Sequence, residues 1–232
     1  MKIYRSFEDG LLIKDMDLWG PYILIRVYLD GFSVNSPLGS SSDKSKILGV
    51  YYSVMSDLKV CSLRSTVQTI CLLPQSDVDF FGLSICLEET IAQLKVLVDE
   101  GLYDSLTKTN VSVRVICSLG DNLEQIHIAG IKKNFSTMEW SCRKCLCSRT
   151  ALRRANSFED IHSKNHQART DEMLFQHYQQ SQDEKVTHKY GVWLPSLYHG
   201  FPYFDSSKML PQCSRGVSYT PFCLCLFDCL FV

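Results

Sequence analysis

Along the first half of the chain, apolar positions gather into short runs separated by polar loops. Residues 22–29 are apolar except for Arg26 and run into Asp30-Gly31, which predicts a buried strand closed by a turn. A polar loop follows over residues 35–46. Residues 47–54 read as a second strand and residues 66–73 as a third, and β-rich runs joined by a loop predict an antiparallel pair. Pro74 and the acidic turn behind it close that section. Leu87, Ile91, Leu94 and Val98 then recur at helical spacing. Glu88 and Glu89 occupy the first turn, where the helix dipole favours them, and Gly101 stands where a C-terminal cap is expected. Residues 111–119 are rich in β-branched side chains and predict a fourth strand that stops at Gly120-Asp121-Asn122. The order β, β, β, α, β predicts an α/β layer fold with a mixed sheet. Residues 155–189 are polar and helical in parts, and beyond Tyr190 the chain becomes aromatic and turn-rich.

With 232 residues, 45% of them hydrophobic and 21% charged, the chain fits one large domain or one domain with a small appendage. The net charge of −1 predicts no overall pull toward nucleic acid, but the charge is unevenly spread. Residues 71–105 hold seven acids against one lysine, and residues 131–154 hold seven bases against one acid. That second stretch (Lys132, Lys133, Arg143, Lys144, Arg149, Arg153, Arg154) is dense enough to meet phosphate, so DNA is the partner it predicts, bound weakly. Self-association is a further expectation. Of the 11 cysteines, four fall in residues 213–232. The start, Met1-Lys-Ile-Tyr-Arg5, leads into no apolar stretch of the kind a secretory signal needs. A non-secreted protein, nuclear or cytoplasmic, is therefore expected, with clustered cysteines serving as metal ligands rather than disulfides. Residues 222–232 are apolar but broken by Asp228, and are shorter than the roughly 20 residues of a membrane span. They read as a foreign or frayed end, and no membrane partner is expected.

Two constellations can carry chemistry. Asp30 and Asp121 are 91 positions apart, yet each closes a predicted strand at a turn. If those strands are neighbours, the carboxylates converge. A hard cation such as Mg²⁺ would relieve their repulsion and support phosphodiester cleavage. Asp-Gly and Gly-Asp-Asn are also ordinary turn sequences, and spacing alone favours that plainer reading. The second constellation is Cys142-Arg-Lys-Cys145, with Cys147 close behind. Cys-x-x-Cys is half of a Zn²⁺ site, and His162 and His166, four apart, are candidates for the other half. The alternative is a cluster of free cysteines with surface histidines. His127, His177, His188 and His199 are isolated and read as ordinary surface or core residues.

The stretch from Val27 to Ser40, with Asp30 and Asn35-Ser-Pro, is followed by Lys46-Ile-Leu-Gly-Val-Tyr-Tyr52. Further on come Gly120-Asp121-Asn122-Leu123, then residues 130–135, then Cys142-Arg-Lys-Cys145. In this order the chain resembles a transposon-derived protein family of animals, similar to the transposases of CACTA-type elements. The likeness runs over residues 4–212. It implies an RNase H-like fold, a mixed sheet with flanking helices, carrying a small Cys-x-x-Cys zinc-type insertion. It also implies that Asp30 and Asp121 are the first two acids of a DDE nuclease site holding Mg²⁺, and that Cys142 and Cys145 are the cysteine half of the zinc site. Family members commonly carry a second acid where this chain has Gly31, and their third acid is expected beyond the point where the likeness stops. The implied layout is a catalytic-core portion over 1–135, a Cys/His insertion over 136–190, an interrupted core continuation over 191–212 and an unrelated tail over 213–232. The expected function is a transposase-derived domain, ancestrally a metal-dependent DNA strand-cleaving and joining enzyme and inactive as a truncated chain. The rival expectations are a non-enzymatic, zinc-containing module that binds nucleic acid or protein, and a non-functional translated fragment.

Overall fold

A computed structural model describes residues 22–34, 46–55, 67–132, 138–140, 142–143, 145–148, 150, 167–181, 183 and 189–210. Strands β1 (Ile23–Ser33), β2 (Lys46–Val54) and β3 (Gln68–Pro74) form an antiparallel meander, and β6 (Val113–Leu119) joins it parallel to β1. The strand order is β3-β2-β1-β6, so the sheet is mixed and the protein is α/β, with helices flanking the strands. Strands β1 and β6 explain two of the apolar runs. Leu24, Ile25, Val27 and Leu29 of β1 are buried, as are Val113, Val115, Ile116, Cys117 and Leu119 of β6. Consecutive buried residues mean that both faces of these strands are covered. Each such aliphatic side chain contributes about 1.5–3 kcal/mol of transfer free energy.

Arg26 is the polar exception in β1, at 1% exposure, and its Nε donates to Ser53 Oγ at 2.5 Å across the β1–β2 pair. Its guanidinium also lies over the Tyr28 ring, 5.1 Å from the centroid. The side chain therefore enters the sheet interior with partners.

Between β3 and β6 the chain departs from the simple pattern. The turn expected after Pro74 is instead a helix, α1 (Gln75–Phe81), with Pro74 at its N-cap, followed by a short α2 (Leu83–Cys86). The expected long helix is α3 (Glu88–Glu100), which buries Val98 and ends at Gly101. The single strand expected over 111–119 is split. Its first residue belongs to a separate hairpin of β4 (Leu102–Asp104) and β5 (Thr109–Val111). Asp104 folds that turn by accepting from the Thr107 hydroxyl at 2.7 Å and the Leu106 amide at 3.0 Å. After β6 comes α4 (Asn122–Ile128).

The chain divides into two compact units. The first comprises Met1–Glu124, Phe201–Phe204 and Met209–Val232, and the second Gln125–Gly200 and Asp205–Lys208. In the second unit, non-adjacent segments are tied by backbone bonds. Ile131 bridges to Val192, Trp193 N and Leu194 N both donate to Gly130 O, Trp140 N donates to Lys189 O, and Cys145 bridges to Ala168. Helix α5 (Asp171–Gln179) starts on Thr170, whose side chain accepts from Met173 N, and it buries Leu174 and His177. Ser196 and Ser206 share a buried hydroxyl bond of 2.5 Å, beside the four-residue α6 (Ser206–Met209).

Two glycines are required where chain segments approach closely. At Gly49, directly across from Asp30, a Cβ would meet the Tyr51 phenol ring. At Gly130, with φ +73°, a Cβ would meet the carbonyls of Leu194 and Pro195. Side chains can move aside and backbone cannot, so the two alanine substitutions should differ. Gly130→Ala is expected to cost about 2–3 kcal/mol in urea unfolding, and Gly49→Ala about 1 kcal/mol. Equal costs would contradict the close approach at Gly130.

Candidate functional site

The parallel pairing of β1 with β6 brings the two acids together. Its register pairs Arg26 with Cys117, Val27 with Ser118 and Tyr28 with Leu119. Asp30 stands two residues further along β1, on the same face as Tyr28 because side chains alternate, and Asp121 stands two residues past Leu119, beyond the end of β6. Asp30 does not close its strand, as the pattern suggested. β1 continues to Ser33 because β2 still pairs with it there, Asp30 opposite Gly49. On its other side β6 has already ended at Leu119, so Asp30 looks across at Asp121 rather than at another ladder residue. Partial burial raises the Asp30 carboxyl above its usual range, and the Asp121 charge adds to the rise, against a hydrogen bond from the Gly31 amide.

Asp121 has a second task. Its Oδ1 accepts from Glu124 N at 2.8 Å, which caps the first turn of α4. The cap holds the carboxylate in place and leaves Oδ2 as the oxygen for a cation. The pair thus supplies two anchored oxygen donors whose mutual repulsion an ion of the Mg²⁺ class relieves. Among the described residues no group of three or more His, Cys, Asp or Glu side chains is arranged to hold a metal ion.

In the second unit, the Cys-x-x-Cys thiols also meet. The hydrogen bond that the protonated Cys145 thiol gives to Cys142 is the first cause that holds the Cys145 thiol well above its usual range, followed by burial and the Cys142 charge. Cys147 is buried and also acts on Cys145, donating an amide bond and adding charge. Two sulfurs this close compete for one proton, and a thiophilic cation such as Zn²⁺ can replace it. His162 and His166 lie outside the described residues.

Of the basic stretch, Lys132 is exposed. Arg143 was expected among the phosphate contacts but is only 5% exposed, because the Cys-x-x-Cys loop folds it inward. Lys133, Lys144, Arg149, Arg153 and Arg154 lie outside the described residues.

Sequence reasoning passed over Arg169 and gave His177 no special role. Arg169 is 1% exposed, and its Nη2 donates to Trp140 O at 2.6 Å and Tyr190 O at 2.9 Å. His177 stacks on Tyr190 at 3.6 Å between ring centroids. Burial, then the Arg169 charge, pushes its pKa down to about 4. Nothing local in the sequence marks these side chains as interior, because Arg and His are usually surface residues.

Both shifts have consequences for stability. Because Asp30 has a raised carboxyl, Asp30→Asn should raise the unfolding midpoint at neutral pH in metal-free buffer. The gain should fade as acid protonates the wild-type carboxyl. A lowered midpoint, or a gain that persists in acid, would contradict the repulsion. For His177 the folded pKa lies below the unfolded one, so the unfolded chain binds the extra proton. Stability is full above 6.5 and falls progressively as pH drops from 6.5 toward about 4. His177→Leu should flatten that slope, and an unchanged slope would show that His177 is already protonated or exposed.

Compared with known proteins, the chain matches no family model and no curated protein, so these side chains themselves carry the functional reading.

Proposed function

We propose that the chain is a transposase-derived, RNase H-like domain whose ancestral reaction was metal-dependent cleavage and joining of DNA strands, and that it is catalytically inert as it stands. The observation that carries this reading is the parallel β1–β6 register, which runs to Tyr28 and Leu119 and so leads Asp30, within β1, and Asp121, just past the end of β6, toward the same edge of the sheet. Ligands of α/β sheets collect at such strand ends. An antiparallel meander with one parallel strand added beside β1 fits an RNase H-like core.

In this reading Asp30 and Asp121 hold Mg²⁺, which when bound supplies Lewis-acid polarisation of a phosphate oxygen and a more acidic water. Asp121, fixed by its cap on α4, sets the position of the site, while Asp30 supplies a charge that is strained without a cation. In-line displacement needs both the attacking and the leaving oxygen to be held, and two carboxylates do not fix two ions. The pair on its own therefore leaves the domain inert. Cys142 and Cys145 fit half of a Zn²⁺ site, with His162 and His166 as the proposed remainder, and the basic stretch meets DNA phosphate.

A second reading, a non-enzymatic zinc-containing module that binds nucleic acid or protein, is favoured by one observation: the Asp121 oxygen already serves as a helix cap.

Duplex DNA binding is expected to be weak, tolerant of sequence and steeply salt-dependent, with no nicking of supercoiled DNA in Mg²⁺ or Mn²⁺. Each phosphate contact contributes about 0.9 to the slope of log affinity against log salt. Lys132→Gln should therefore lower the slope by about 1, and Arg143→Gln, its guanidinium buried, should not. Salt-indifferent binding would remove the DNA partner. Nicking abolished by Asp30→Asn would overturn the inert state and reveal a complete site.

A further inference from the structure

We propose that the outer surface of α1 and α2 docks a basic, amphipathic segment of a partner protein, with the Phe80–Phe81 ring pair as its anchor. This goes beyond the reading above and does not depend on it. Three large apolar side chains stand exposed within six residues: Phe80 at 82%, Phe81 at 54% and Ile85 at 63%. They do not seat the helices. Val78, Leu83 and Leu87 do that, each at 2% exposure or less. The two phenyl rings meet edge to face, 4.7 Å between centroids, so they form one raised aromatic surface. Single exposed apolar residues are ordinary on a protein surface. A cluster of them rimmed by polar residues is the pattern of an interaction site, and aromatic side chains are the commonest anchors of one.

Charge decides among the occupants. Residues 65–94 carry four acids, Asp77, Asp79, Glu88 and Glu89, and no base, and all four acids are exposed. Asp77 stands three and four residues before the two rings in the same helix, which makes it their neighbour on the helix surface. Its charge also reaches the end of α2, where burial and then Asp77 raise the Cys86 thiol. Helix starts account for Asp77, Glu88 and Glu89 singly, since the dipole favours acids there, but they do not account for the rings beside them. Nucleic acid and an anionic lipid surface would both be repelled by these carboxylates. A second copy presenting the same face would set acid against acid, which opposes a twofold pairing. The complementary occupant is a protein segment that spaces Lys or Arg between apolar side chains. Its apolar residues cover the rings, and its bases meet Asp77 and Asp79.

The test follows the fluorescence anisotropy of a labelled synthetic helix of leucine and lysine as the full chain is added. A leucine–glutamate helix and oligolysine serve as references. The leucine–lysine helix should bind, and both references should bind far more weakly. Phe80→Ser/Phe81→Ser should weaken binding by about 30-fold, the loss that marks an anchor residue. Asp77→Asn/Asp79→Asn should weaken it several-fold at low salt and remove much of its salt dependence. Because the rings are exposed, the double-serine variant should keep the wild-type unfolding midpoint. Failure of the leucine–lysine helix to bind, or binding unchanged in the double-serine variant, overturns the proposal. Oligolysine binding just as tightly overturns it too, by reducing the site to bulk charge. A lowered midpoint in the double-serine variant would show that the chain itself covers the rings. Concentration-dependent sedimentation that the same variant abolishes would show a second copy there, and uptake by phosphatidylserine vesicles that it abolishes would show a membrane. Each of these three results overturns the proposal as well.

Discussion

The first unit depends on one pairing, β1 against β6 in parallel. A parallel pair cannot be closed by a tight turn, so the chain between the two strands has to cross over, and here it does so through β2, β3, three helices and a hairpin. Parallel strands also end at the same edge of the sheet, which two antiparallel neighbours would not do. The register shift between Ile25 and Arg26 then sets which residues meet. With it, Tyr28 pairs with Leu119, and Asp30 and Asp121 reach the edge at the same level. A slip of one residue would turn one of the two carboxylates to the opposite face.

The same pairing explains the electrostatics of the edge. β6 hands over to a helix at once, and Asp121 is the residue that makes the transition by capping α4. β1, still held by β2, runs on and carries Asp30, exposed at the sheet edge, beside a like charge. The fold tolerates this because a core of buried aliphatic residues on β1 and β6 outweighs one unfavourable carboxylate. Sites that bind cations are commonly arranged this way, with ligand repulsion left for the ion to relieve. In the second unit a buried cation, Arg169, is held instead by the carbonyls of Trp140 and Tyr190.

Much of the fold was legible in the sequence, and what was missed has physical causes. The runs that became β1, β2, β3 and β6, and the helical spacing that became α3, were clear because buried elements must be apolar on the faces they bury. The end of β1 was misplaced because Asp30-Gly31 reads locally as a turn, whereas pairing to Ile47 and Leu48 holds the strand on to Ser33. α1 was hidden behind Pro74, which looks like a break but serves as an N-cap. The acids were picked out singly by their places at predicted strand ends. That they meet depends on a pairing across most of the first unit, which no local pattern encodes. Arg143 was misjudged for the complementary reason: charge predicts exposure, but the loop that gathers Cys142 and Cys145 turns it inward. Arg169 and His177 escaped notice because their burial arises entirely from tertiary packing.

The central claim is that Asp30 and Asp121 form one cation site. Titration of the metal-free chain with Mn²⁺, followed by electron paramagnetic resonance of the free ion, tests it most directly. Asn can still cap α4 and is nearly the same size as Asp, so Asp30→Asn and Asp121→Asn should keep the fold. The account predicts weak binding of Mn²⁺ by the wild type that is lost in each single variant. Binding that survives both substitutions, or a wild type that takes up no Mn²⁺, would contradict it.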